Sequence, residues 1–169
     1  MTLLATTCHF NYNPKRFNAC VIRQKLGTIL LFESGSFVII GVKCMKVAHR
    51  LAIGLEKILQ TKVLPCKLCH IYVRNFVVWF RPSHKLITLL NCAFAGQEET
   101  KSAIKDAVIK VGLNYSHEPE MFPSTKFYLK EPKATVCIFR QKVTAIITGI
   151  CDLDVVNDII DKIESIEIK

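Results

Sequence analysis

The sequence predicts an α+β protein in which one supersecondary unit occurs twice, and three observations predict it. A short turn word, "YNPKRF" (Tyr12 to Phe17), returns as "HEPEMF" (His117 to Phe122). Each copy is followed by runs rich in Val, Ile, Phe and Thr, the residues that suit a pleated surface. Each series of runs ends in a segment whose apolar residues recur at helical spacing. With Pro14 set on Pro119, Phe17 falls on Phe122, "TILLF" ending at Phe32 on "TVCIF" ending at Phe139, and "FVIIG" ending at Gly41 on "AIITG" ending at Gly149. The unit reads as Pro-containing turn, three strands, helix.

In chain order, residues 19–25, 28–33 and 36–43 are expected to form a meander, with "ESGS" (Glu33 to Ser36) as its clearest hairpin turn. A helix follows, carrying Val47, Leu51, Leu55 and Ile58. "CHIYVRNFVVWF" (Cys69 to Phe80) reads as a long strand and "HKLITLL" as a short helix. "EETKSAIKDAVIKVG" reads as a second helix, with Ala103, Ile104, Ala107, Val108 and Val111 as its stripe and Gly112 where a C-terminal cap belongs. Residues 125–131, 134–140 and 143–150 repeat the meander. Leu153, Val156, Ile160 and Ile163 close the chain as a helix capped by Asp152 or Asp154. Runs such as "FVIIG" alternate poorly, which implies apolar side chains on both sheet faces. Helices need only one of them, so the other has to have a purpose.

A chain of 169 residues, half of them hydrophobic, buries one sizeable core or two small joined halves, read here as 1–62 and 63–169. A formal charge of +9 makes a polyanion a candidate partner. "GTILLFESGSFVIIGV" is broken by Glu33 and a Ser-Gly-Ser turn, so no run of about 18 apolar residues exists to span a membrane, and no membrane partner is expected. The start "MTLLATTCHF" lacks a basic region and long apolar stretch, so the expected compartment is cytoplasm or nucleus, with the eight cysteines reduced. "CKLCH" (Cys66 to His70) has the C-x-x-C-H form of a haem attachment and half of a zinc site. No second ligand pair follows at usual spacing, and haem attachment requires export. No nucleophile–base cluster or Gly-rich phosphate loop is present. The expectation is no enzyme, no metal and no cofactor.

The words "YNPKRF", "FESG", "EPEMFP", Glu131-Pro132 and "IITG", in order and in both repeats, resemble the core of the TATA-binding protein family over residues 12–61 and about 69–166. That resemblance implies a two-repeat saddle, a curved antiparallel sheet with helices on its convex face and DNA's minor groove against its concave one. It also implies nuclear localisation and a general transcription initiation factor that bends A/T-rich, TATA-type promoter DNA and recruits general factors for RNA polymerase II. The second apolar sheet face is thereby given a purpose.

Residue by residue, the resemblance implies DNA-intercalating rings at Phe17, Phe32, Phe122 and Phe139. It places Asn75, Val77, Val38, Ile40, Ile146 and Thr148 against the minor groove, and Arg23, Lys43 and Lys133 on phosphates. The acidic turn Glu118, Pro119, Glu120 and Met121 matches the stirrup that meets transcription factor IIB. The basic turn Asn13 to Arg16 lies where DNA or factor IIA is met, and TBP-associated factors are further candidate partners.

The chain departs from the family in several places. Ile40 replaces a threonine, and Tyr128 and Cys151 replace basic residues, which lowers the expected DNA affinity. The opening strand and helix before "YNPKRF" are missing, and with them the partner of Asn75. A truncated reading of the gene, a partial substitute in "MTLLATTCHF" and a divergent relative with half a central groove are three accounts of this. Phe17 to Phe32 spans 15 positions and Phe122 to Phe139 spans 17, and a stretch near 95–113 reads as an insertion. The alternative to a DNA-binding factor is a related or decoy interaction protein that binds factors IIA and IIB with little or no DNA binding.

Overall fold

A computed structural model describes residues 10–62, 65–95 and 98–167, with Thr2 and Thr6. The remaining positions of "MTLLATTCHF", the stretch read above as one account of the short first repeat, lie outside the described residues. The chain divides into two units, Met1–Ile71 and Tyr72–Lys169.

In the first unit, four antiparallel strands lie in chain order: β1 (Asn11–Asn13), β2 (Phe17–Gln24), β3 (Gly27–Leu31) and β4 (Phe37–Ile40). Helix α1 (Met45–Lys62) packs on one side. Cys20, Ile22, Ile29 and Leu31 occupy alternate strand positions and are buried with Leu55, against Leu51 and Leu59 of the helix and Phe37 and Ile39 of β4. Gly27 follows the two-residue turn Lys25-Leu26. A Cβ there would stand 2.8 Å from Val42 Cγ1 and 3.0 Å from the Ile40 carbonyl, so the close approach of β4 requires glycine. The "ESGS" turn forms as its sequence predicts: Phe32 N–H donates to Ser36 O at 2.9 Å, and Gly35 takes φ 84°. The segment 65–71 stays with this unit because α1 holds it. Leu68 N–H donates to Glu56 Oε1 at 2.9 Å and Gln60 Nε2 to Cys66 O at 2.7 Å.

The second unit contains β5 (Phe76–Phe80), α2 (His84–Ala93), α3 (Glu98–Lys110), β6 (Asn114–His117), β7 (Thr125–Leu129), β8 (Ala134–Phe139), a 3-10 turn (Arg140–Lys142), β9 (Thr144–Ile150) and α4 (Val156–Glu164). The antiparallel sheet runs β5-β9-β8-β7-β6. Leu86, Leu90, Ile104, Val108, Ile159 and Ile163 from the helices are buried against Phe127, Val136, Ile138 and Ile147 from the strands. Ser83 caps α2 by accepting from Leu86 N–H at 3.1 Å, and Glu164 at the end of α4 accepts from Ser83 N–H at 2.9 Å. The stretch read as an insertion thus supplies a helix to this core.

Two expectations need correction. The strand predicted over 69–80 begins only at Phe76, because the residues before it find side-chain rather than ladder partners. Gly149 N–H is taken by Asn75 Oδ1 at 2.7 Å, and the Arg74 carbonyl accepts from Cys151 Sγ at 3.1 Å. The last helix is not capped by an aspartate. Asp152 Oδ1 accepts from Asp154 N–H at 3.0 Å, which makes a turn before the helix, and the N-cap position is Val155 with no side-chain bond. Between β8 and β9 the chain turns through the 3-10 segment with Val143 left-handed, at φ 49° and ψ 48°. The two-position difference between the repeats lies in one turn. Lys25-Leu26 joins β2 to β3, while Lys130 to Lys133, with a cis Glu131-Pro132 bond, joins β7 to β8.

Candidate nucleic-acid interface

In each unit the strand phase opposite the helices points away from the core. In the first, the ladder aligns Val21, Leu30 and Val38 in one row and Arg23, Thr28 and Ile40 in the next. In the second it aligns Trp79, Ile146, Cys137 and Lys126, and beside them Thr148, Thr135 and Tyr128. Val38 and Ile40 therefore occupy the register positions that Ile146 and Thr148 occupy in the second sheet. Val38, Ile40 and Val77 are all exposed. Apolar side chains gathered on an open sheet face mark an interaction surface rather than a core.

The four phenylalanines come together in pairs. Phe17 and Phe32 meet edge to face with centroids 6.4 Å apart at 67°, and Phe122 and Phe139 do so at 5.9 Å and 64°. Phe17 and Phe122 are exposed, while Phe32 and Phe139 are half-buried. The second pair differs in one respect: Lys126 Nζ sits 4.6 Å above the Phe122 ring.

Asn75 is oriented by its neighbour. Because Gly149 N–H donates to it, the carboxamide oxygen is fixed as the acceptor, so the Nδ2 donors point elsewhere and take no partner among the described residues. Arg23 stands exposed on the open face, and Lys43 and Lys133 are exposed just beyond β4 and before β8. Tyr128 is exposed on the open face without a positive charge, and the Cys151 thiol is turned to the Arg74 carbonyl.

The two turn words differ in build. Between Asn13 and Phe17 the first turn is closed by Arg16 N–H to Asn13 O at 3.0 Å. The second spans His117 to Thr125, with Met121 and Phe122 N–H both donating to Glu118 O at 3.0 and 2.9 Å. Glu118, Pro119 and Glu120 are exposed, and Met121 is 82% exposed.

A polar cluster at the foot of this second turn gives no signal in the sequence. His117 stacks on Phe94 at 3.8 Å. Arg140 donates to Leu90 O at 3.3 Å and Asn91 Oδ1 at 3.4 Å, beyond the end of Phe139, and approaches His117 Nε2 at 3.4 Å. An arginine only donates, so Nε2 is the acceptor and Nδ1–H donates to Thr125 Oγ1 at 3.1 Å. Burial first, and the Arg140 charge second, hold the His117 pKa below its ordinary value, against a smaller upward pull from Glu120.

Comparison with known proteins gives one family. Residues 1–62 match the family described as Transcription factor TFIID (or TATA-binding protein, TBP). Over 136 residues the chain is 31% identical to TATA-box-binding protein 1 of Arabidopsis thaliana, covering 76% of this chain and 57% of that protein. Over 156 residues it is 28% identical to the TATA-box-binding protein of Drosophila melanogaster, covering 90% of this chain and 39% of that one. The chain thus spans little more than half of the first relative and less of the second. Among solved structures, Methanococcus jannaschii TBP matches with a TM-score of 0.61 at 23% identity, over 96% of this chain and 87% of that one, a likeness of fold.

Proposed function

This chain carries a core domain of the TATA-binding protein family, and on that premise we propose that it is a transcription initiation factor that binds the minor groove of A/T-rich, TATA-type DNA through its open sheet faces. The observation that carries the reading is the recurrence of one ring pair, edge to face at 6.4 and 5.9 Å, in both repeats. A core phenylalanine has no reason to recur half-exposed at the same register beside an apolar face. A ring that enters a base step replaces lost stacking, at a cost of a few kcal/mol per step, and leaves the duplex kinked.

The rest of the face suits the same target. A·T and T·A pairs present only acceptors in the minor groove, whereas G·C adds an amine donor. The outward Nδ2 of Asn75 complements the first and conflicts with the second. Arg23, Lys43 and Lys133 supply cations for phosphates, and steps that bend easily lower the cost of deformation. We further propose that the acidic turn around Glu118 and Glu120 recruits transcription factor IIB for RNA polymerase II, that factor IIA meets the basic turn, and that the protein acts in the nucleus. The second reading, a related or decoy factor with weak DNA binding, is favoured by one observation: Tyr128 and Cys151 bring no charge to the surface.

The test is equilibrium binding and energy transfer on a doubly labelled TATAAA duplex, against one with that element replaced by G/C, at two salt concentrations. Tight, bent, sequence-selective binding is expected, with bending lost in a Phe122→Ala, Phe139→Ala variant. Weak, steeply salt-dependent binding without bending would overturn the reading and favour the decoy.

A further inference from the structure

Trp79 is the chain's single tryptophan, and its side chain is 66% exposed. An aromatic ring of this size normally dominates a core or an interface. Its strand has cores to offer: Phe76, Val78 and Phe80 occupy the inward phase of β5 and pack against the buried cluster. Val77 and Trp79 take the outward phase, and Trp79 lies opposite Ile146, a row that continues to Cys137 and Lys126. The indole therefore stands on the open face, on the same strand that Asn75 precedes. Its Nε1–H is a donor with no acceptor function, and it takes no partner among the described residues.

We propose that Trp79 is a specificity-determining contact of this surface: its ring lies against the minor-groove floor and its Nε1–H donates to adenine N3 or thymine O2. The inference rests on the DNA-binding reading above. A donor without acceptor capacity accepts A·T in either orientation and meets the G·C amine donor to donor. The apolar neighbours Val77 and Ile146 exclude water from the contact, which makes a mismatched donor costly.

The experiment uses the full chain and two independent signals. A labelled TATAAA duplex reports binding and bending, and the emission of Trp79 reports the environment of this one ring. A set of duplexes, each with one A·T pair changed to G·C, locates the contact. On binding, the emission is expected to shift and quench. Trp79→Phe, which keeps a ring and removes the donor, should bind and bend the duplex while losing about five- to tenfold of the A·T preference at one base pair. Wild-type binding and bending with unchanged Trp79 emission, or full discrimination by Trp79→Phe, would overturn the proposal alone. Absence of binding and bending of the labelled duplex would overturn it together with the reading on which it rests.

Discussion

Asn75 has two jobs that one substitution can separate. Its Oδ1 accepts from Gly149 N–H at 2.7 Å inside the fold, and its Nδ2 is the donor proposed to face the groove. Asn75→Asp keeps an acceptor for Gly149 and replaces the donor with a second acceptor. Asn75→Ala removes both. The bond to Gly149 is exposed and so belongs near the low end of the usual ~0.5–1.5 kcal/mol. At about 0.5 kcal/mol in a domain of about 100 residues, Asn75→Ala should lose about 2–4 °C in Tm, and Asn75→Asp should melt close to wild type. On DNA the order reverses. Loss of a base-reading amide costs about 1–3 kcal/mol, or about 5- to 150-fold in Kd. The aspartate adds an unpaired negative charge facing acceptors and phosphates, so it should bind worse than the alanine. Melting by circular dichroism and binding by anisotropy on one TATAAA duplex read the two jobs separately. Equal Kd values for wild type and Asn75→Asp, with both folded, would refute the assignment of Nδ2 as a base-reading donor.

Three further outcomes are expected. A Glu118→Arg, Glu120→Arg variant should retain DNA bending yet lose transcription factor IIB in a mobility-shift supershift, and undiminished recruitment would remove the acidic turn from the partner surface. Val143→Gly should raise stability by ~0.5–1 kcal/mol in chemical denaturation, because left-handed backbone costs a side-chain-bearing residue ~1–2 kcal/mol and glycine's extra freedom when unfolded returns part of it; a destabilised variant would contradict the 49° φ. Since His117 is held below its ordinary pKa in the fold, the unfolded chain binds the extra proton first. Its contribution is complete above pH ~6.5 and is lost as pH falls below that value. Thr125, Phe94, Arg140 and Glu120 surround it, so His117→Gln should flatten that part of the wild-type pH–Tm curve. Identical curves would assign the acid sensitivity elsewhere.

The ring pairs and meanders were legible because they are local and occur twice: one copy checks the other, and the offset between turn words fixes which strand matches which. Periodicity fails where both phases are apolar. "FVVWF" gives no face by itself, and only the pairing of Trp79 with Ile146 shows which residues point outward. The start of β5 was misread because a side chain, Asn75, takes the hydrogen bond that a strand residue would have taken. The His117–Arg140 cluster was invisible for a different reason. Its members come from a helix end, a turn and a strand end, and their meaning lies in how the fold closes rather than in spacing along the chain.

Arg140 is covalently next to Phe139 and, through His117, braces the foot of the acidic turn, with α2 as the anchor for both. The ring assigned to the duplex and the loop assigned to a protein partner thus stand on one bracket. A ligand that displaced that bracket would change the footing of the other. By reciprocity, any free energy so transferred is the same in both directions. On the proposed function, a partner that braced the loop would tighten the grip on DNA by the same factor by which DNA tightened the grip on the partner, whichever of the two bound first.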